Sequence, residues 1–449
     1  MASQKKKTSQ STAARKSSPK KTAAKKSNKA KTKKKKSSRS GLGSKLFSGK
    51  GVLLALAVFF TFASLVLVLK VPPFQSPLKD SLQKRTESSS SRTSSFEETT
   101  SPTSIEQLTK EVDLVLLQTM ISQGVRPQDL AHKEVVLRKD KGGRQYHYQS
   151  LIIDLPANKD AFIRVFEKNL HNLVRNCSLV RQSQREWAVK ISGKPTHRIA
   201  FSTHGVPKGL PDRSPAKGNL IIVIDDLGES LVYAEKLARL DLPITFSLLP
   251  LSTRTAQVAE VARKYGKDIL LHLPMEPSNL KESDPGPGAL FVDMTREDML
   301  SVLSSDLSRV PAAIGVNNHM GSAFTEHYWA MRTVLSELKK RDLFFLDSLT
   351  SPKSVIPVIA DSVGVPYLRR DIFLDNVLDV ELIIYQLQKA EKIALSRGFA
   401  IAIGHPYPET LKALTKWAEM KDSSVRVSSI RSLLPSWMIA ENQDTFSKK

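Results

Sequence analysis

Asn219-Leu220-Ile221-Ile222-Val223-Ile224-Asp225-Asp226-Leu227-Gly228 is the stretch whose reading decides the fold. A continuous apolar run closed by two carboxylates and a glycine predicts a strand buried on both faces, as in a parallel sheet. Side chains alternate along a strand, so Asp225 and Asp226 leave its end in different directions. One carboxylate can then hold a metal while its neighbour takes a proton from water beside it. An isolated pair would more simply be a helix cap next to a solvated acid. Three further apolar runs that close on a histidine argue against that simpler reading. They are Asp268-Ile269-Leu270-Leu271-His272-Leu273-Pro274-Met275-Glu276, Ala312-Ala313-Ile314-Gly315-Val316-Asn317-Asn318-His319-Met320-Gly321-Ser322 and Phe399-Ala400-Ile401-Ala402-Ile403-Gly404-His405-Pro406. A fourth run, Leu343-Phe344-Phe345-Leu346-Asp347-Ser348, closes on another carboxylate.

Helical patterns over residues 230–240, 255–265, 296–308 and 328–340 separate these runs. Strand alternating with helix predicts an α/β fold built on a parallel sheet. In such folds the carboxyl ends of the strands share one face, and that face carries the site. Asp225, Asp226, His272, His319, Asp347 and His405 are therefore expected to converge, although they lie far apart in the chain. A single histidine is ordinarily structural. Three at equivalent strand ends, beside a carboxylate pair, point to a metal or catalytic site.

Taken together, Asp225-Asp226, His272-Leu273-Pro274-Met275-Glu276-Pro277, Asp284-Pro285-Gly286-Pro287-Gly288-Ala289, Val316-Asn317-Asn318-His319-Met320-Gly321-Ser322, Phe345-Leu346-Asp347-Ser348 and Gly404-His405-Pro406 resemble the divergent polysaccharide deacetylase family, over about residues 217–432. The resemblance implies a distorted (β/α) barrel of the polysaccharide deacetylase type. It implies that Asp225 is the general base, Asp226 and His272 are metal ligands, His405 is the general acid and Asp347 is a supporting carboxylate. The better-known deacetylases carry a second histidine four residues after the first ligand; this chain has Glu276 there, which can bind a metal through oxygen. His319 stands where those relatives have an Arg-Pro motif and can supply the missing imidazole.

This set of N and O donors suits a divalent cation, most simply Zn²⁺, that polarises an acetyl carbonyl and acidifies water. Asp225 would take the proton, and a protonated His405 would give one to the departing amine or alkoxide. Asn317 and Asn318 are candidates to bind the oxyanion or sugar hydroxyls, although an asparagine pair at a strand end often satisfies loop backbone. The Asp284-Pro285-Gly286-Pro287-Gly288 stretch reads as a rigid turn and a candidate cleft wall. Arg370, with Arg369 beside it, is a candidate for an anionic substrate group, in competition with an ion pair to a neighbouring aspartate.

The charge distribution separates the ends of the chain. Residues 1–50 hold eighteen Lys or Arg and no Asp or Glu, against a net charge of +24 for the whole chain. The excess is local to a tail that cannot bury a core, so the tail is expected to be disordered. An apolar stretch, 51–70, follows; its nineteen charge-free residues from Gly51 to Leu69 roughly span a hydrocarbon core of about 30 Å. With lysines on its amino side, it predicts a retained single-span anchor with the tail in the cytoplasm and the rest of the chain exported, to the bacterial periplasm or equivalent. A cleaved signal peptide is the rival reading, disfavoured by the long preamble and the lack of a small-x-small site. The tail suits anionic lipids and, with Phe47 its one aromatic residue to stack on bases, no specific nucleic acid.

Residues 71–104 read as a Ser/Thr-rich linker, 105–205 as a small α+β module, 206–218 as a Pro/Gly-rich boundary and 219–440 as the deacetylase-like domain. The module's His132, His147, His171, His197 and His204 show no ligand spacing and read as surface or structural. The sole cysteine, Cys177, excludes an intrachain disulfide. Two functions follow from these readings. One is a metal-dependent hydrolase removing acetyl groups from an envelope polysaccharide. The other is a carbohydrate- or metal-binding envelope protein that keeps the fold without turnover. Asp225 with His405 favours the first, since binding alone needs neither base nor acid; the missing second histidine favours the other.

Overall fold

The computed structural model describes residues 104–155, 159–202 and 217–436. The basic tail, the apolar segment, the linker but for its last residue, His204 and most of the 206–218 boundary lie outside the described residues. Among the described residues no helix is long and apolar enough to cross a membrane.

The first part opens with helix α1 (Ile105–Ser122), started by Ser104, whose hydroxyl accepts the Gln107 N–H. Strands β1 (Leu130–Lys139) and β2 (Gln145–Asp154) follow. Helix α2 (Lys159–Leu173) precedes β3 (Cys177–Arg181), β4 (Glu186–Ile191) and β5 (Lys194–Ser202). These five strands form a sheet in the order β1-β2-β5-β4-β3. Leu108, Val112, Leu116 and Met120 of α1 share a core with Phe162, Phe166 and Leu170 of α2 and with Trp187, Val189 and Ile199 of the sheet.

The second part is an α/β unit with a curled, parallel sheet of half-barrel type. Its strands are β6 (Gly218–Leu227), β7 (Thr245–Leu248), β8 (Ile269–Met275), β9 (Gly315–Met320), β10 (Phe344–Asp347), β11 (Tyr367–Arg369), β12 (Ile372–Phe373), β13 (Phe399–Gly404) and β14 (Val425–Val427). The order is β11-β10-β9-β8-β7-β6-β13-β12, with β14 also on β6. Segment 366–374 bridges the margins. Pro366 and Arg370 bond to Phe345 and Asp347 on one side, and Asp371 and Leu374 bond to Ile401 and Ile403 on the other.

Between the strands run α3 (Leu231–Ala238), α4 (Thr255–Lys264), α5 (Arg296–Arg309), α6 (Tyr328–Lys340), α7 (Ile356–Val363), α8 (Val380–Arg397) and α9 (Pro408–Ala418). Several of these helices start at a side-chain cap, among them Ser230 for α3, Thr295 for α5 and Asp379 for α8. Gly364 and Gly398 end α7 and α8 in the left-handed conformation.

The strands are buried on both faces, and their alternation sorts the residues. Leu220, Ile222 and Ile224 face the helices, with Leu271, Val316, Phe345 and Ala402. Ile221 and Val223 face the inside of the curl, with Leu270, Phe344, Leu346, Ile401 and Ile403. This period of two decides which polar side chains at the strand ends point inward.

The two parts meet along α8. Tyr385 of α8 joins the core of the first part, while Val135 of β1 joins that of the second. Asp113 of α1 sits at the joint. It accepts hydrogen bonds from Gln149 (2.8 Å), Tyr385 (2.5 Å) and the Lys389 ammonium (3.1 Å), and lies 3.0 Å from His197 Nε2. Burial alone would raise its pKa, but the Lys389 charge and the His197 and Tyr385 hydrogen bonds hold the carboxyl well below the usual range. His132, His147 and His197 are accordingly buried structural side chains. The module's docking surface, open at the level of sequence, is the second part of its own chain.

Candidate metal and catalytic site

The inward parity of each strand continues past the apolar core into polar side chains. After Ile221 and Val223 comes Asp225; after Leu270 comes His272; along β9 come Asn317 and His319; after Ile401 and Ile403 comes His405. Asp225, His272 and His405 are each 2% exposed and His319 7%. Parity would turn Asp226 outward. It comes inward because the backbone breaks there: β6 slips register against β7 between Ile224 and Leu227, and Asp226 takes a φ of 55°. Met320 and Leu349, at the ends of neighbouring strands, are also left-handed, with φ of 52° and 53°. Non-glycine residues hold this conformation at a cost of about 1–3 kcal/mol each, met by their surroundings, and they concentrate at functional sites. Gly228 closes the turn at φ 139°, where a β-carbon would lie 2.6 Å from that of Ser252.

One group of donors can hold a cation. Oxygen Oδ1 of Asp226 lies 3.1 Å from His272 Nε2 and 2.9 Å from His319 Nδ1, and the two imidazole nitrogens are 3.2 Å apart. All three ligand atoms lie within 4.8 Å of one another. Burial alone would raise the pKa of Asp226. The His319 charge, the hydrogen bonds of His272 and His319 and the His405 charge outweigh it and hold the carboxyl well below the usual range. For His272 burial works downward, but the Asp225 charge and then the Asp226 hydrogen bond raise its pKa. Two imidazoles and one carboxylate form an N₂O set that fits a divalent metal.

Asn317 ties this group to the adjacent carboxylate. Its Nδ2 donates to both oxygens of Asp225, at 2.9 and 3.0 Å, and lies 3.1 Å from Ser348 Oγ. Its Oδ1 accepts from Ser247 Oγ at 2.5 Å and lies 3.1 Å from His272 Nδ1. A carboxylate cannot donate, so the amide nitrogen faces Asp225 and the carbonyl faces His272. His272 therefore donates from Nδ1 to Asn317, which fixes the ring with Nε2 facing Asp226.

Across the site, His405 is held by Asp375. The Asp375 carboxylate accepts the His405 backbone N–H at 2.6 Å, lies 2.9 Å from Nδ1 and takes Thr410 Oγ1 at 2.7 Å. Nε2 of His405 faces Asp226 Oδ2 at 4.0 Å. Burial works against the imidazolium, but the Asp375 charge and hydrogen bond, followed by the Asp226 and Asp225 charges, raise the His405 pKa to about 9. The rings of Phe373 and Tyr407 flank it, at 5.1 and 5.9 Å.

Several sequence assignments change. Asp347 is not the carboxylate that supports His405; Asp375 is. Asp347 follows Phe345 on the helix-facing parity, and its oxygens accept Leu349 N and Ser354 Oγ at 2.8 Å each. Burial raises its pKa, offset in part by those hydrogen bonds. Glu276 stands outside the donor group, because its Oε2 is taken by Val292 N at 2.6 Å. Asn317 positions Asp225 and His272, so its amide is spent within the protein. Asn318, on the outward parity, fastens loops: Nδ2 bonds Met320 O and Thr350 Oγ1, and Oδ1 accepts Ser348 N. Arg370 is buried, donates to Ser348 O and Leu349 O and lies over the Phe373 ring, so its guanidinium is engaged within the protein and is not an open anion site. Nearby, Arg397 pairs with Asp371.

Fold and site together define an α/β protein with a carboxylate–histidine centre at the carboxyl ends of its parallel strands. The chain belongs to the divergent polysaccharide deacetylase family, whose model matches residues 222–434. It is 37% identical over 200 residues to an uncharacterized protein of Haemophilus influenzae, covering 44% of this chain and 70% of that one. It is 32% identical over 217 residues to the uncharacterized protein YibQ of Escherichia coli, covering 48% and 67%. Among solved structures, an uncharacterized Agrobacterium tumefaciens protein aligns with a TM-score of 0.47 at 26% identity, covering 50% of this chain and 91% of that one. The peptidoglycan deacetylase PdaC of Bacillus subtilis aligns at 0.32 and 9% identity, covering 52% and 98%.

Proposed function

We propose that this chain is a metal-dependent hydrolase that removes acetyl groups from a polysaccharide or glycan of the bacterial envelope. The observation that carries the reading is the convergence, from five separate strands, of a three-donor group, an adjacent carboxylate and a carboxylate-held histidine. Family membership supports a carbohydrate substrate.

Asp226, His272 and His319 would hold the divalent cation, and Zn²⁺ is the simplest choice for an N₂O set. Bound there, it would polarise the acyl carbonyl and acidify water. Asp225 is the proton acceptor: Asn317 fixes both of its oxygens, so the carboxylate is oriented before substrate arrives. His405 is the proton donor. With a pKa raised to about 9 it is an imidazolium at neutral pH. Its Nδ1 proton is committed to Asp375, which leaves the Nε2 proton for the departing nitrogen or oxygen.

The test uses the full-length chain in detergent, offered N-acetylated hexosamine polymers and O-acetylated glycans, with acetate release as the readout. Asp225→Asn keeps the shape and removes basicity; it should lower turnover about 100-fold or more while leaving bound metal unchanged. A wild-type chain that binds metal but releases acetate from neither substrate class would move the reading to a non-catalytic carbohydrate-binding protein.

The same reading includes a place. We infer that residues 51–69 anchor the chain in the inner membrane with the basic tail in the cytoplasm, so that the site faces the envelope glycans. The eighteen-to-zero charge bias of residues 1–50 supports this orientation. A reporter that works only outside the cytoplasm should be active when fused after Asp80; activity only of a cytoplasmic reporter would reverse the topology.

A further inference from the structure

We propose that Tyr328 and Trp329 form a sugar-stacking platform on the rim of the catalytic face. It would be a subsite for a pyranose unit of the polymer other than the one losing its acetyl group. The inference rests on the carbohydrate reading above and adds where the chain of sugars is gripped.

Trp329 is 69% exposed and Tyr328 38%, and they are the first two residues of α6. The helix buries its other side, through Met331, Val334, Leu335 and Leu338, so core packing does not account for the indole. The rings stand edge to face, with centroids 5.1 Å apart at 88°. At this exposure the indole is accessible to a ligand.

The pair is fixed at the same end of the sheet as the donor group. The link from β9 to α6 is pinned to the strand ends on either side: Ala323 N and Phe324 N bond to Glu276 O, just past β8, and Ser351, just past β10, donates to Glu326. Val355 N bonds to Thr325 O, and the His327 ring accepts Ala330 N to cap the helix. The aromatic pair therefore emerges from an anchored turn that begins two residues after His319.

Polar residues next to the pair bear on the ligand class. Arg332 reaches the Tyr328 hydroxyl at 3.5 Å, and Glu326 pairs with Lys353 at 3.7 Å. A pyranose presents C–H groups on its face and hydroxyls at its edge. The negative face of an aromatic ring suits the first, and a polar collar suits the second. A lipid tail has no use for the collar.

The experiment measures binding and acetate release by the full-length chain with a hexamer of β-linked N-acetylglucosamine, with N-acetylglucosamine itself and with acetylated xylan. Trp329→Ala should weaken binding of at least one polymer about tenfold, the order expected for one lost stacking contact, with the effect in KM and little in kcat. Trp329→Tyr should restore most of it, and the monosaccharide should not distinguish the three proteins. Unchanged polymer binding in Trp329→Ala and Tyr328→Ala would overturn the platform even if acetate is released. Trp329-dependent polymer binding without any acetate release would uphold the platform and sink the hydrolase. Loss of binding to anionic lipid vesicles, with polymer binding intact, would assign the pair to the membrane and overturn the proposal.

Discussion

Among the described residues, two buried clusters of aspartate and histidine differ in what surrounds the carboxylate. At the joint between the two parts, Asp113 meets Lys389, Tyr385, Gln149 and His197, and a side-chain ammonium supplies the countercharge. None of these residues stands at positive φ. At the strand ends, Asp226 meets the imidazoles of His272 and His319, and the backbone of Asp226 itself is left-handed. The first cluster is complete with protein atoms alone. The second places two imidazole nitrogens 3.2 Å apart beside a carboxylate, an arrangement that one cation satisfies. Burial and a histidine–aspartate pair are therefore not what marks chemistry here. Convergent donors on strained strand ends are.

The largest effect that would sharpen this contrast is at Lys389. Removing its charge by Lys389→Met leaves Asp113 buried without its cation, which should cost about 3–5 kcal/mol of unfolding free energy in urea while metal content stays as in wild type. Replacing both partners, Asp113→Asn with Lys389→Met, should recover much of the loss. A Lys389→Met protein as stable as wild type would show that the joint does not depend on this ion pair.

A smaller effect concerns pH. Glu391 on α8 is buried and accepts Trp417 Nε1 at 2.9 Å and Asp422 N at 3.0 Å, and burial raises its pKa to about 7. A carboxyl whose folded pKa lies above its ordinary value favours the folded state when protonated. That contribution is full below the ordinary pKa of 4.5 and is lost as pH rises through about 7. The melting temperature should fall between about pH 5 and 8, by an amount on the order of 2 kcal/mol in stability, and Glu391→Gln should flatten that fall. An unchanged pH profile in the variant would remove Glu391 from the account.

Much of this was legible in the sequence because strands buried on both faces leave long apolar runs, and each run names its own end. The helices at 255–264 and 328–340 agree with their apolar periodicity to within a residue. Asp375 escaped notice because β12 is only two residues long and leaves no run to read. Yet Ile372-Phe373-Leu374-Asp375 has the same form as the run into Asp225. The outward position of Asp347 is itself contained in the sequence: counting by twos from Phe344 and Leu346 puts Ser348 inside and Asp347 outside. The inward turn of Asp226 was not legible, since it depends on a register slip against β7. The histidines of the first part gave no sign of their partner, because Lys389 and Tyr385 lie far along the chain and meet Asp113 only through the fold.

The most direct measurement compares one histidine from each cluster. His272→Ala and His197→Ala should be made in the full-length chain, loaded with Zn²⁺, and assayed for bound metal and for unfolding. His272→Ala should lose most of its metal and still unfold cooperatively in its metal-free form; His197→Ala should keep one equivalent of metal and lose stability. Full metal occupancy in His272→Ala, or metal loss confined to His197→Ala, would contradict the assignment of the strand-end cluster as the metal centre.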